Sequence, residues 1–508
     1  MKTFASSELV LASWILVGIY MVVLLAIVIR GALKIKSISD YSVGNVVFSP
    51  IAVGLSLAAS ITSAATFIIN PGLIALYGIS GVITLGVVLP FAALISLYVL
   101  TKGFRKQGQA VKALTMAQWI GKRYGSETFA FFFALLSLLL LTFVVLICVG
   151  LTSILSQALG IQPLYALIGL VTFVFGYMMF GGANSMIYTN LIQAVLMLIV
   201  AFILLGSGLD HLENGIGGFL EKLKAIDPNL VTPVNPDSFL FRDYFEVVFC
   251  AIVVGVAIVC QPHIITKSLM LKDEGHVNTF LRTGIIAETF FFLVVIAGLY
   301  ARLEFPDLTV DGVQLKTDTI ISAYVVKKFP VYIGLVVILG LISAGLSTLE
   351  GLVQSLSTTV TSDIAEPLCG WLGIKKLEGK QAIWFNRGVI VVLGVVAVLI
   401  SYDQISDPDP KQTVAILAQN GVYAYFSAAF VPVLFGTFLP KVSRQVVVAA
   451  SLVAVITHFS VYYGELTMYT QGELKNPGVA SALAISASVL VGLGGHYLSK
   501  KKKPTPAY

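Results

Sequence analysis

Apolar residues along this chain come in long unbroken runs. They show neither the alternation of a half-buried strand nor the narrow stripe of a soluble amphipathic helix. A helix needs about 20 predominantly apolar residues to cross a bilayer. Runs of that order fall near 9–33, 48–70, 80–101, 128–158, 162–180, 185–207, 243–266, 283–302, 331–358, 382–402, 413–438, 443–463 and 477–497. The pattern predicts an all-α polytopic membrane protein of about 13 transmembrane helices, since only helices and closed barrels satisfy their backbone in lipid.

Charge between the runs predicts their orientation. With the N-terminus outside, the inside segments hold Lys34 and Lys36, then Lys102, Arg105, Lys106, Lys112, Lys122 and Arg123. They also hold Lys272, Arg282, Lys375, Lys376, Lys380, Arg387, Lys441, Arg444 and Lys500 to Lys503. The outside segments hold Asp210, Glu213, Asp307, Asp311, Asp403, Asp407, Asp409, Glu465 and Glu473. Lys222, Lys224, Lys327 and Lys328 are outside as well, but in the longest loops, where the positive-inside rule weakens. The expected topology is N-out and C-in.

Composition agrees. The 508 residues are 57% hydrophobic and only 11% charged, against about 25% charged in soluble domains. The net charge of +6 is accounted for by topology, so no nucleic-acid partner is implied. Cys148, Cys250, Cys260 and Cys369 have no metal-ligand spacing. The run 9–33 is too long for a signal-peptide core of roughly 7–15 residues, so no cleavable signal is expected.

Three stretches break the apolar monotony. The second run carries small and polar residues from Ala58 to Thr66 and then Asn70-Pro71-Gly72. Five runs later stands Cys260-Gln261-Pro262-His263. Either is readable as a proline kink. As a pair in corresponding positions of two halves, they point to discontinuous helices around a midplane binding site, as in transporters built from inverted repeats. The third stretch is Ala344-Gly345-Leu346-Ser347-Thr348, deep inside the run 331–358. Its hydroxyls can bond back along the helix, and its small residues suit close packing. The alternative is an oxygen set for a hard monovalent cation.

These stretches do not stand alone. With them come Ser39-Asp40-Tyr41, the inside segment Thr115-Met116-Ala117-Gln118-Trp119-Ile120-Gly121-Lys122-Arg123, Gly181-Gly182, and Tyr188-Thr189-Asn190-Leu191-Ile192-Gln193. In this order the chain resembles the sodium/solute symporter family, whose members carry proline, pantothenate, short monocarboxylates, sialic acid and sugars. The resemblance implies a leucine-transporter-like core of two inverted five-helix repeats, over 48–207 and 243–438. One extra helix (9–33) precedes the core and two (443–497) follow it. It implies a sodium site made by the carbonyls of Ala59, Thr62 and Ala344 with the hydroxyls of Ser347 and Thr348. It places the substrate against Ser63, Thr66, Phe67, Gln261 and Gln419. His263 is either a gate of that cavity or a hydrogen-bonded core histidine.

Departures from the family pattern are informative. Relatives that bind a second sodium have an Asp where this chain has Asn190, and a Ser where it has Glu350. One reading moves the carboxylate across the site, so that Asn190, Ser347 and Glu350 hold a second cation or Glu350 carries a proton. The other makes Glu350 a packing element. Glu288 is expected to be structural, partly hydrated or paired with a basic residue such as Lys267. The helix 128–158 has no Arg or Lys, which argues against sialic acid. Ile61 and Ala65 stand where proline carriers have an Asp and a Trp, and Ala65 stands where sugar carriers have a charged residue. The Pro71-Gly72 end is closest to the pantothenate and monocarboxylate branch.

The expected function is sodium-coupled symport of a small organic acid into the cell across the plasma or bacterial inner membrane, without enzymatic chemistry or an obligate protein partner. The alternatives are a proline-like amino-acid carrier, a sugar carrier, and a membrane sensor working with a separate partner. For the sensor, only Lys500 to Tyr508 follow the last run.

Overall fold

A computed structural model describes residues 7–45, 47–271, 274–310, 312–375, 377–406, 414–439 and 441–501. Its long helices, in chain order, are α1 (Ser7–Ala32), α2 (Pro50–Ile61), α3 (Ala65–Tyr77), α4 (Ile79–Val111), α5 (Glu127–Leu159), α6 (Pro163–Gly206) and α7 (Phe245–Ile258). Then come α8 (Pro262–Met270), α9 (Val277–Glu304), α10 (Val331–Thr359), α11 (Lys380–Ser406), α12 (Val414–Phe438), α13 (Arg444–Tyr463) and α14 (Pro477–Lys501). Among the described residues ten helices are long and apolar enough to cross a membrane, or twelve when the bent pairs α2–α3 and α7–α8 each count as one span. Lys272, Asp311, Lys376, Asp407, Asp409, Lys502 and Lys503, which enter the orientation argument, lie outside the described residues.

Burial sorts the helices into layers. In α10 nearly every side chain from Gly334 to Thr359 is buried, so this helix is the axis of the molecule. It packs on α6, α5 and α2, while α2 also crosses α6 and α9. At the α2–α9 crossing a Cβ on Gly54 would sit 2.6 Å from the Phe280 carbonyl oxygen, so the absent side chain permits the backbones to approach. The outer helices α1 and α11 keep Leu11, Ile15, Ile19, Val392, Val395 and Leu399 exposed. In water such a surface would be unstable; in lipid it is the expected one.

Both interruptions exist, and one of them is displaced from its sequence signal. Pro262 restricts the residue before it to extended backbone, and Gln261 adopts φ −89°, ψ 136° at the 55° bend between α7 and α8. The first bend, of 56°, falls not at Asn70-Pro71-Gly72 but at Thr62 to Ala64. Thr62 is extended there, and the Ser63 hydroxyl accepts from the Ala65 N–H at 3.1 Å, capping the second half-helix. Pro71 instead follows a π-helical turn, Ala65–Ile69, which absorbs its missing donor without a bend.

Helix α6 contains the boundary between the runs 162–180 and 185–207. It is marked by Gly182 at φ 53°, ψ −163°, a backbone conformation open essentially to glycine alone. A Cβ there would lie 2.8 Å from Tyr41.

Candidate functional site

The break between α2 and α3 frees carbonyls that α10 meets with hydroxyls. Ser347 Oγ donates to the Ala59 carbonyl at 2.6 Å and lies 3.1 Å from the Ala344 carbonyl. Thr348 Oγ1 lies 3.2 Å from the Ser60 and Thr62 carbonyls and 3.4 Å from that of Ala344. All these residues are fully buried. The five groups named from the resemblance therefore converge, with Ser60 O as an addition that the resemblance does not name. No group of His, Cys, Asp or Glu suited to a metal ion occurs among the described residues. What the cluster offers is a set of neutral oxygens, able to hold a hard cation of low charge. The Thr62 hydroxyl turns away from it and donates to Glu288 Oε2 at 2.9 Å.

The second candidate set comes together in part: Asn190 and Glu350 meet, while the Ser347 hydroxyl turns to the first cluster. No hydrogen bond joins that hydroxyl to Glu350 among the described residues. Glu350 Oε1 accepts from Tyr177 (2.6 Å) and Gln193 (2.9 Å), and Oε2 accepts from Thr189 (2.6 Å). With its amide oriented as its neighbours require, Asn190 donates to Glu350 Oε2 at 3.2 Å and accepts from Lys267 Nζ at 2.9 Å. Lys267, fully buried on α8, also donates to the Ser56 carbonyl (2.9 Å) and hydroxyl (2.7 Å). It does not pair with Glu288, whose Oε1 has no hydrogen-bond partner among the described residues. Sequence reasoning gave Ser56, Tyr177, Thr189 and Gln193 no role. The spacing of Thr189 and Gln193, one helical turn apart, was the available signal for a shared face.

A cavity of about 120 Å³ opens beside the first cluster, room for several waters or a compact solute. Ser63, Thr66, Gln261 and Gln419 line it, together with Ile61, Ala65, Asn70 and Phe143. Gln261 donates to the Ile258 carbonyl at 3.0 Å, and its Oε1 is buried without a partner among the described residues.

Two expected members are elsewhere. Phe67 is fully buried, edge-on to Phe291 at 5.7 Å, and forms packing behind the wall. His263 lines a separate small cavity with Thr115, Lys267 and Gln354. The Phe143 ring, 6.0 Å from the imidazole, stands next to the main cavity. Neither ring nitrogen of His263 has a hydrogen-bond partner among the described residues, so it is not the hydrogen-bonded core histidine of the alternative reading. A further cavity shares Leu85, Leu89, Gln419 and Tyr423 with the main one and reaches Glu246, which is held by Arg242 at 2.7 Å and Asn476 at 2.8 Å.

Two broken helices crossing an unbroken one, with an oxygen cluster and an uncharged cavity carrying a few hydroxyls and amides at the breaks, define a secondary transporter core. The chain matches the Sodium:solute symporter family over residues 41–454 and belongs to that family. It is 26% identical over 438 residues to the sodium/pantothenate symporter of Escherichia coli (strain K12), covering 84% of this chain and 86% of that one. It is 24% identical over 452 residues to a sodium/proline symporter of Staphylococcus aureus, covering 87% and 84% respectively. Its fold matches that of a Na+-coupled sialic acid symporter solved in a substrate-bound outward-open state, with a TM-score of 0.75, 18% identity and coverage of 96% and 98%. The protein is thus an integral membrane transporter and not an enzyme. Sodium is its coupling ion and a small molecule its cargo.

Proposed function

We propose that the protein imports a small organic acid of the pantothenate or monocarboxylate kind into the cell, across the plasma or bacterial inner membrane, in an N-out, C-in topology of about thirteen spans. In this reading sodium binds among the carbonyls of Ala59, Thr62 and Ala344 and the hydroxyls of Ser347 and Thr348. The two inverted repeats over 48–207 and 243–438 rock about it. The observation that carries the proposal is the placement of an uncharged, mostly apolar cavity with a few hydroxyls and amides one residue beyond the oxygen cluster: Thr62 belongs to the cluster and Ser63 lines the cavity. Ordering the α2–α3 break around an ion therefore also orders the cavity wall, which is the differential contact that coupling requires.

The choice of cargo rests on what the wall lacks. Among the described lining residues there is no Lys, Arg, Asp or Glu. Ile61 and Ala65, the positions where proline carriers have an Asp and a Trp, both face the cavity. Hydroxyls and amides can hold a carboxylate whose charge is balanced by the neighbouring sodium.

Purified protein melted in sodium and in potassium, with pantothenate, short monocarboxylates, proline and glucose in turn, tests this directly. Binding raises apparent stability by mass action. Stabilisation by an organic acid only in the presence of sodium is the expected result. Sodium-dependent stabilisation by proline or glucose alone would overturn the choice of cargo. Stabilisation by none of these solutes, with sodium effective on its own, would reject all three carrier branches.

A further inference from the structure

The Lys267 ammonium is an unusual thing to bury, and its surroundings explain it. Its three N–H donors meet three oxygens, the Ser56 carbonyl at 2.9 Å, the Ser56 hydroxyl at 2.7 Å and Asn190 Oδ1 at 2.9 Å. That is a small cage of neutral oxygens from α2 and α6, closed by a positive charge from α8. Beyond Asn190 lies the only acidic group of the cluster among the described residues, Glu350. Its carboxylate accepts from Tyr177, Thr189, Gln193 and the Asn190 amide, the donor set of an ionised acid. Asn190 thus bridges the two charges, one face turned to the cation and the other to the anion.

We infer that the Lys267 ammonium is a built-in cation standing in the place of a second sodium ion, so that the transporter binds a single sodium. Geometry and charge support this. The ammonium already takes up the three cage oxygens, and it supplies the positive charge that balances the buried Glu350 carboxylate, whose unpaired burial would be costly. A carboxylate at 190 beside Glu350 would leave the cluster negative, whereas the amide that is present donates to one partner and accepts from the other. The ammonium is tethered, so it neither dissociates nor depends on the sodium gradient. The single mobile ion is then left to the Ala344–Thr348 cluster, one helical turn away along α10.

This inference rests on the proposed sodium site, and one experiment separates the two. Radiolabelled sodium bound at saturation to the purified full-length protein is counted in a choline buffer. The wild type is expected to bind one ion per chain with a hyperbolic isotherm. Lys267→Ala, which vacates the cage and leaves Glu350 uncompensated, is expected to bind two. Lys267→Arg, which keeps the charge, is expected to bind one. Ser347→Ala identifies the ion at the first cluster. Two ions on the wild type, with one remaining in Ser347→Ala, would overturn the role of Lys267 while leaving the proposed sodium site intact. No sodium on the wild type would overturn both. A folded Lys267→Ala that still binds one ion would show that the cage does not accept a cation. If Lys267→Ala does not fold, Lys267→Ser, which retains a hydroxyl against Ser56, carries the same expectation, and the wild-type count decides independently.

Discussion

Ser347 on α10 donates its hydroxyl to the carbonyl of Ala59 at the end of α2, a 2.6 Å contact across 288 residues of chain. A carbonyl becomes available there because α2 stops at Ile61, and a hydroxyl faces it because α10 does not stop. Continuous and broken helices are complementary at this point. The break supplies acceptors that lipid could not satisfy, and the unbroken helix supplies the groups that satisfy them.

Replacing Ser347 by Ala removes one hydroxyl and leaves the Ala59 carbonyl without that partner. Loss of such a buried oxygen is worth about 1–3 kcal/mol. The sodium concentration for half-maximal stabilisation of purified Ser347→Ala should therefore rise about tenfold or more. Thr348→Ala should behave alike. An unchanged sodium titration in both variants would remove the cluster from the coupling mechanism.

Gln261, whose Oε1 has no partner among the described residues, lines the cavity together with Gln419. Gln261→Ala and Gln419→Ala should raise the solute concentration for half-maximal uptake about tenfold each. Stabilisation by sodium alone should persist. A loss of sodium binding in either variant would mean that the side chain supports the fold of the break rather than the cargo.

Gly182 marks the interruption in α6, with Tyr41 2.8 Å from where a Cβ would be. Gly182→Ala should cost about 1–3 kcal/mol from backbone strain, with a further loss from the clash. A lower melting temperature at wild-type sodium affinity is expected. A melting temperature equal to wild type would show that α6 can run straight through this point.

Asp318 lies in the turn Thr317–Thr319, in the loop between α9 and α10 and outside the spanning helices. Its Oδ1 has no hydrogen-bond partner among the described residues, and burial pushes its carboxyl up to about 6, with Lys316 opposing. For an acid whose folded value lies above the unfolded one, the fold prefers the protonated form. Its stabilising contribution is then complete below the ordinary carboxylate value near 3.8 and is lost as pH rises through about 6. Asp318→Asn should flatten this part of the pH–melting profile and raise the melting temperature at neutral pH. A parallel profile for wild type and variant would count against a buried acid here.

Much of this protein was legible without its structure. Runs of apolar residues too long for any soluble element demand spanning helices, because backbone groups in lipid must be paired within their own segment. The Ala344–Thr348 stretch and the two interruptions signalled a transporter, since hydroxyls and prolines are costly in lipid unless something uses them. The resemblance carried from those residues then named the oxygens that converge between α2 and α10.

What required the tertiary structure was direction. Pro71 is the louder signal, yet the helix breaks at Thr62 to Ala64, because a π turn accommodates the proline while Ser63 caps the following half-helix. Glu350 lies one turn from Ser347 in sequence, but its carboxylate accepts from Tyr177, Thr189 and Gln193 on α6, while the Ser347 hydroxyl donates to Ala59 on α2. His263 and Phe67 are polar or aromatic neighbours of the cavity residues in sequence, and both turn away from it. Lys267 reaches Ser56 across 211 residues. Hydropathy and spacing say what a membrane must bury; which buried group meets which is set by the crossing of helices far apart in the chain, and a one-dimensional pattern carries no record of that crossing.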